Sequence, residues 1–201
     1  LDPVRYITNR SSGKMGYALA EQARLMGAEV TLISGPVSLA TPTGMQVVQV
    51  ETAAEMYAAV MQHVAGQTMM IAAAAVADYT PVTVQKDKIK KQGEESFIAL
   101  EKTRDIVASV AALDNKPFTV GFAAETQNLA TYAQDKLRRK NLDMIAANWV
   151  GGTQGGFDSE LNALHVYWQG GELSLPMVSK STLAEQLLLL ITERLDAKDT
   201  A

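Results

Sequence analysis

The stretch VRYITNRSSGKMG, residues 4–16, decides the fold class, because an apolar segment runs there into a short polar turn and then into a helix. We predict a strand over Val4–Thr8. Ser11, Gly13 and Gly16 have the i, i+2, i+5 spacing of the dinucleotide-binding glycine-rich turn, with serine in first place. Backbone N–H groups of such a turn, with the helix N-terminus, bind anions. The alternative interpretation is a turn whose serines cap the helix and whose glycines only permit close packing.

Strand and helix patterns alternate along the rest of the chain. The later predicted strands are Glu29–Ser34, Met45–Val50, a fully buried Thr68–Ala75, Phe118–Ala124, Met144–Asn148, Ala163–Trp168 and Leu173–Met177. The predicted helices are Met15–Met26, Thr52–Ala65, Asp105–Leu113, Asn128–Arg139 and Ser181–Leu195. This order predicts one α/β domain over residues 1–201, with a doubly wound, mostly parallel Rossmann-like sheet, right-handed crossovers and a C-terminal antiparallel hairpin.

Residues 78–102 leave this pattern. The segment Lys86–Gly93 is basic and has neither a helical nor a strand period. We interpret the segment as an excursion from the sheet, because so long an irregular insertion is uncommon unless it is functional or packs on something. A homodimer would bury its apolar side chains, while the basic tip stays mobile until a ligand binds. Those side chains are Tyr79, Val82, Val84, Phe97, Ile98 and Leu100.

Composition excludes several classes of protein. With 201 residues, 47% of them hydrophobic, the chain can form one sizeable core. The absence of cysteine excludes disulfides, thiolate zinc sites and a cysteine nucleophile. A net charge of −4 predicts no general affinity for nucleic acid. Neither an apolar run of membrane length nor a leader is present, so we expect no membrane partner and a cytoplasmic location. The abrupt start at Leu1 suggests a domain excised from a longer protein.

Candidate binding groups lie at the ends of the predicted parallel strands, where α/β sheets bind ligands. The small residues of Ala72–Asp78 would let a ligand lie against the backbone, with Asp78 near a sugar hydroxyl or a hydrated metal. Close packing of a helix on the sheet is the alternative. Lys136 and Lys140 lie four apart on one helix face and can reach one polyanion, unless they form a solvated basic face. The lysine at position 14 lacks the flanking residues of an NTPase P-loop.

Five motifs occur in order along the chain. They are Asn9-x-Ser11-Ser12-Gly13-Lys14-Met15-Gly16, Ala73-Ala74-x-x-Ala77-Asp78-Tyr79, Lys88-Ile89-Lys90-Lys91, Gly121-Phe122-Ala123-Ala124-Glu125-Thr126 and Lys140-Asn141-Leu142-Asp143. Together they resemble the phosphopantothenoylcysteine synthetase domain of the bacterial bifunctional coenzyme A biosynthesis flavoproteins. The resemblance implies ligation of 4′-phosphopantothenate to L-cysteine, with CTP and Mg²⁺, through an acyl-cytidylate that yields CMP and pyrophosphate. It also implies a homodimer, and a separate N-terminal flavin-dependent decarboxylase domain in the full-length protein.

The resemblance also assigns roles to individual residues. Arg5, Asn9 and Ala74 match positions that handle the acyl-cytidylate, and Lys88 matches the lysine required to form it. The implied CTP site comprises Asp78, Lys88, Arg104, Asp105, Ile106, Val107, Phe122, Lys136 and Lys140, and the glycine-rich turn adds Ser11, Ser12 and Gly13. Two positions depart from the family pattern, since Arg104 stands where proline is common and Arg10 where histidine is expected.

Two other functions are compatible with parts of the sequence. Tyr132 and Lys136 have the Y-x-x-x-K spacing of nicotinamide-dependent short-chain reductases. Against a reductase stand the missing acidic ribose ligand after the second predicted strand and the missing serine on Phe118–Ala124. A noncatalytic nucleotide-binding module is the other alternative. Release of pyrophosphate from CTP, phosphopantothenate and cysteine with Mg²⁺ would separate the three.

Overall fold

Helices and strands alternate over residues 1–90, 96–125, 127–149 and 159–200, the part of the chain that this computed structural model describes. The helices are α1 (Lys14–Leu25), α2 (Ala53–His63), α3 (Ile106–Ala111), α4 (Leu129–Arg139) and α5 (Lys180–Asp199). The strands are β1 (Thr31–Ser34), β2 (Gln46–Gln49), β3 (Met69–Ala72), β4 (Tyr79–Pro81), β5 (Leu100–Lys102), β6 (Phe118–Glu125), β7 (Met144–Trp149), β8 (Leu161–Trp168) and β9 (Gly171–Ser179). Each predicted helix, and each predicted strand after the first, has a counterpart.

The main sheet has five strands in the order β3-β6-β7-β8-β9. The strands β3, β6 and β7 are parallel, whereas β8 and β9 continue the sheet in antiparallel pairing. Side chains alternate between the two faces of β7: Met144 and Ala146 pack with α1 and α5, and Ile145 and Ala147 pack with α4. Helices therefore cover both faces. The mixed α/β architecture and the C-terminal hairpin are confirmed.

The first predicted strand, Val4–Thr8, is wrong. The backbone turns at residues 3–4, and Asp2 forms an isolated antiparallel bridge with Arg5. The Asp2 carboxylate accepts hydrogen bonds from the amides of Val4 and Arg5, each at 2.9 Å, and this side-chain turn competes with strand pairing. The apolar residues that suggested a strand are exposed; Tyr6, for example, is 80% accessible.

The sheet is also less continuous than predicted. Within the described residues β1 pairs with β2 alone, and β3 pairs with β6 alone. The strand predicted over Thr68–Ala75 ends at Ala72, and its residues are half-buried rather than fully buried, because no strand of the described ranges lies beside the other edge of β3. A shared cluster still joins the two sheets, since Ile33 and Met70 pack on the buried side chains of α2 and α3.

The excursion over residues 78–102 is a two-stranded arm, defined as the antiparallel pair β4–β5 and the residues between its strands. Its base is fixed by Thr103, which donates hydrogen bonds to the carbonyls of Ala77 at 2.8 Å and Asp78 at 2.9 Å. All six apolar side chains predicted to need a partner are exposed, and Phe97 is 92% accessible. Residues 91–93 of the basic tip lie outside the described residues. None of the described helices is long and apolar enough to cross a membrane.

Asp143→Asn is expected to lower the free energy of unfolding by about 1–3 kcal/mol at pH 7. The carboxylate accepts hydrogen bonds from the Thr119 amide at 2.8 Å and from Lys198 at 2.7 Å, so it ties the start of β6 to the end of α5. Burial raises the pKa of Asp143, but these hydrogen bonds and the charges of Lys116 and Lys198 outweigh it, and the pKa lies below its ordinary 3.8. Urea denaturation measures the loss.

The direction of the pKa shift of Asp143 determines how its stabilisation of the fold depends on pH. Because the folded-state pKa of Asp143 is depressed, the stabilisation is present above pH 3.8 and is lost as the pH falls through the lower folded value. The two proteins should therefore converge in stability below that range. Asp114→Asn, at an exposed acid, is the matched control. An Asp143→Asn protein as stable as the parent at pH 7 would contradict the assignment.

Candidate active site

The turn before α1 is built around Gly13. Its φ of 74° lies in the left-handed region, and a Cβ there would stand 2.7 Å from Val37 Cγ1, so only glycine fits. The hydroxyls of Ser11 and Ser12 accept hydrogen bonds from the amides of Gly13 at 3.3 Å and Lys14 at 3.5 Å. Each of these bonds spans only two residues within the turn, and the N-cap of α1 is Gly13, so the serines do not cap the helix as the alternative interpretation predicted. A phosphate-binding role for this turn stays a prediction.

Asn9 and Ala74 lie at the same place, beyond the carboxyl end of β3. The Asn9 side-chain amide donates a hydrogen bond to the carbonyl of Val76 at 3.0 Å, and the exposed Ala74 is two residues away in the same loop. The loop continues to Asp78, whose side chain is also exposed. Three residues selected from the sequence are therefore grouped at a strand end, where α/β sheets place ligands.

A second group forms on the other side of the arm's base. Lys140 forms an ion pair with Asp105 at 2.7 Å, and Lys136 donates a hydrogen bond to the carbonyl of Phe122 at 2.8 Å. Asp105 also caps α3 by accepting a hydrogen bond from the Ala108 amide at 3.0 Å. Asp105, Phe122, Lys136 and Lys140, chosen separately from the sequence, thus form one cluster, which we name the lysine cluster.

Electrostatics in the lysine cluster favour the ionised carboxylate. Burial raises the pKa of Asp105, but the hydrogen bonds from Lys140 and the Ala108 amide, with the charges of Lys140 and Lys136, lower it below its ordinary value. Both lysines therefore lie close enough to act on the same anion. Two ammonium groups close to one carboxylate are the kind of grouping that can bind a polyanionic ligand.

The neighbouring predicted residues differ in what they offer a ligand. Arg104 stacks on the Tyr57 ring with 5.0 Å between the guanidinium carbon and the ring centroid, so this departure from the family pattern packs against α2. Ile106 is buried in the core at the start of α3, and Val107 is partly buried. These two residues shape the wall beside Asp105 and bring no charge to it.

Arg5, in the N-terminal turn, contacts the backbone of the segment that carries Lys88. Arg5 donates two hydrogen bonds to Asp2, through Nε at 3.0 Å and Nη2 at 2.6 Å, and Nη2 also reaches the carbonyl of Ile89 at 2.8 Å. Lys88 is the residue before Ile89, and its side chain is exposed. Among the described residues Lys88 forms no ion pair, so it does not join the lysine cluster in this state.

Sequence analysis missed two residues that organise the site. Asp2 was not considered, although the dipeptide Asp2-Pro3 is itself a turn signal. Thr103 was also overlooked, because a single threonine beside a basic segment has no pattern of its own. Together they fix the two ends of the segment that contains Ala77, Asp78 and Lys88.

The residues present fit a magnesium ion only as a partner of a bound nucleotide. No group of three or more His, Cys, Asp or Glu side chains that could hold a metal lies within residues 1–90, 96–125, 127–149 and 159–200. Mg²⁺ is commonly bound by one or two carboxylates together with substrate phosphates and water. The exposed carboxylate of Asp78 suits that arrangement.

Comparison with known proteins identifies the family of the chain. Residues 1–195 match the family described as DNA/pantothenate metabolism flavoprotein C-terminal domain. The chain is 55% identical over 198 residues to the coenzyme A biosynthesis bifunctional protein CoaBC of Vibrio cholerae, covering 97% of this chain and 50% of that protein. With the CoaBC protein of Escherichia coli K12 it shares 54% identity over 203 residues, covering 99% and 50%.

A solved structure has the same fold. The crystal structure of the C-terminal domain of a CoaBC protein superposes with a TM-score of 0.81 at 41% identity, covering 98% of this chain and 89% of that one. The chain spans about half the length of the curated relatives it matches. On this match over nearly the whole length, the chain belongs to the DNA/pantothenate metabolism flavoprotein C-terminal domain family.

Proposed function

We propose that this chain catalyses the CTP-dependent ligation of 4′-phosphopantothenate to L-cysteine in coenzyme A biosynthesis. The observation that carries the proposal is the lysine cluster, in which Lys140 pairs with Asp105, Lys136 donates to the Phe122 carbonyl, and the charges of both lysines act on Asp105. The resemblance that implies the reaction assigns all four residues to the CTP site, and the family assignment favours the proposal. The same proposal includes fusion to an N-terminal decarboxylase in the full-length protein and a cytoplasmic location.

In the first step the carboxylate oxygen of phosphopantothenate attacks the α-phosphorus of CTP, and pyrophosphate leaves. Both reactants are anions, so cations must offset their repulsion. Lys136 and Lys140 would hold the triphosphate, and Lys88 would approach from the arm. When bound, Mg²⁺ supplies further neutralisation of the phosphate charge, with Asp78 as a protein ligand. The product is an acyl-cytidylate.

In the second step the cysteine amine attacks the acyl carbon, and CMP leaves with the oxygen that had bridged carbon and phosphorus. The amine loses its proton to solvent as the amide forms. Negative charge develops on the carbonyl oxygen, and the amide of Asn9, which lies at the strand end and donates to Val76, would donate to this oxygen as well. No covalent bond to the protein is required.

The observations on this chain support the short-chain reductase and the noncatalytic module less well than they support a ligase. In a short-chain reductase the tyrosine and lysine act together on the substrate, whereas here Lys136 is bonded to the carbonyl of Phe122 and Tyr132 is 46% exposed. The family assignment also favours a ligase. A noncatalytic module would bind nucleotide without turnover, and an assay separates that case directly.

The proposal is tested by measuring pyrophosphate with purified protein, phosphopantothenate, cysteine, CTP and Mg²⁺. We expect continuous release with all components, a burst of at most one equivalent per site without cysteine, and much slower release when ATP replaces CTP. Binding of CTP without any release would favour the noncatalytic module. Consumption of NADPH with a carbonyl substrate would favour the reductase.

We also propose that the arm forms a homodimer. It carries Tyr79, Val82, Val84, Phe97, Ile98 and Leu100 on exposed positions, and so many exposed apolar side chains in one short segment indicate an interaction surface. If the arms of two protomers packed against each other about a two-fold axis, each would bury the apolar side chains of the other. The side chain of Phe97 exposes the largest fraction and is therefore expected to contribute most.

Phe97→Ser is expected to shift the protein from dimer to monomer, because it removes the most exposed aromatic side chain of the arm. Sedimentation at micromolar concentration should give about twice the 21.6 kDa chain mass for the parent. Leu189→Ser, at a 56% exposed position on α5, is the control and should remain dimeric. A parent that sediments as a monomer with full activity would overturn the proposed dimer.

A further inference from the structure

The Asp2 carboxylate is buried and saturated with hydrogen bonds although it lies near the start of the chain. Its side chain has 0% exposure, whereas that of Arg5 is 45% exposed. Oδ1 accepts hydrogen bonds from the backbone amides of Val4 and Arg5. Oδ2 accepts hydrogen bonds from Nε and Nη2 of Arg5 and, at 3.1 Å, from the backbone amide of Ile89. Every donor but one comes from the N-terminal turn, and the remaining donor comes from the arm.

Two side chains of the N-terminal turn contact the backbone of one residue of the arm. Asp2 accepts a hydrogen bond from the amide of Ile89, and Arg5 donates one to the carbonyl of Ile89 at 2.8 Å. Both polar backbone groups of Ile89 are therefore fixed by Asp2 and Arg5. A further hydrogen bond joins the Gln85 amide to the carbonyl of Leu1 at 3.0 Å. Residues 85–89 are therefore attached to residues 1–5 at two points, and Lys88 lies between them.

This attachment is local, because the body of the domain does not depend on it. Neither Asp2 nor Ile89 belongs to any of the three buried clusters of the core. Lys88 is exposed, so its position is set by the backbone that carries it rather than by packing of its own side chain. Small displacements of a reacting group are costly, and a shift of about 1 Å can lower a rate 10²-fold.

We propose that Asp2 is a positioning residue that holds residues 85–89 against Arg5 and so places Lys88 for formation of the acyl-cytidylate. The role of Lys88 rests on the function proposed above; the attachment itself rests on the contacts. The hydrogen bonds to Asp2 also hold the pKa of its carboxyl well below the ordinary value, through Arg5 first, so the carboxylate is charged throughout the neutral range.

Asp2→Asn tests the attachment, because the amide keeps the shape but one of its two terminal atoms no longer accepts hydrogen bonds. Hydrogen exchange at the Ile89 amide should accelerate about tenfold or more, with no change at core amides such as those of β6. Asp87→Asn, at an exposed carboxylate in the same segment, is the matched control and should exchange as the parent does. Unchanged exchange at Ile89 would overturn the attachment.

Kinetics then test whether the effect passes through Lys88. In single-turnover assays of pyrophosphate release, Asp2→Asn should slow the first step by about 10²-fold. In a Lys88→Gln background the same change should add little, because there is no lysine left to position. A full additional slowing in that background would indicate a general structural role and overturn the proposal. If the parent itself releases no pyrophosphate, the proposed function fails, while exchange at Ile89 still decides the attachment.

Discussion

Lys88→Gln is expected to lower the rate of acyl-cytidylate formation by about 10³-fold or more, while leaving the fold intact. The side chain is exposed on the arm and outside the core, so its loss removes a charge without opening a cavity. The attack of one anion on another requires cations near the transferring phosphoryl group. Glutamine keeps a polar group at the end of a somewhat shorter side chain but cannot offset that charge.

The measurement is the burst of pyrophosphate without cysteine, with thermal unfolding as the check on the fold. Lys102→Gln, at an exposed lysine on β5, provides the control for a general loss of positive charge on the arm and should retain the burst. A Lys88→Gln protein with a burst close to that of the parent would refute the role of Lys88 in the first step.

Asn9→Asp is expected to form the intermediate at close to the parent rate but to transfer it to cysteine about 10²–10³-fold more slowly. The amide that donates to Val76 becomes a carboxylate, which repels both that carbonyl and the developing oxyanion. The expected signature is therefore accumulation of acyl-cytidylate. Quenched samples resolved by mass spectrometry measure intermediate and product separately.

Asn115→Asp, which adds the same charge at an exposed site in the loop between α3 and β6, is the control and should not accumulate the intermediate. If Asn9→Asp stopped the pyrophosphate burst as well, Asn9 would have to act in the first step. That result would leave the ligase reaction in place and change only the role of this residue.

The regular elements could be predicted because their patterns are local. The capping box at Thr52, for example, places the start of α2 correctly, and in the structure both reciprocal hydrogen bonds with Glu55 are formed. The paired lysines at positions 136 and 140 could be selected from their spacing on one helix. The ion pair of Lys140 with Asp105, and the effect of the Lys136 charge on the same carboxylate, required the tertiary structure, since α3 and α4 are separated by a whole strand.

The strand predicted over Val4–Thr8 is absent because the preceding Asp2 accepts hydrogen bonds that form a turn. The apolar pattern of Val4–Thr8 does not reveal those hydrogen bonds. Asp2 accepts the nearby amides and one from Ile89, which lies 87 positions away. No pattern in a single sequence reports such a long-range contact. The arm is a second example. Its apolar residues could be identified from the sequence, but the pairing of β4 with β5 could not, because the two strands lie on opposite sides of the basic tip in the sequence.

The central claim is that CTP activates the carboxylate as an acyl-cytidylate, and an oxygen-isotope experiment tests it most directly. Phosphopantothenate labelled with ¹⁸O in its carboxylate is incubated with the protein, CTP, Mg²⁺ and cysteine, and the products are analysed by mass spectrometry. The account predicts one ¹⁸O atom in CMP and none in the pyrophosphate, because the carboxylate oxygen attacks the α-phosphorus and leaves with CMP. Label in inorganic phosphate, with CDP as the nucleotide product, would indicate an acyl phosphate and contradict the account.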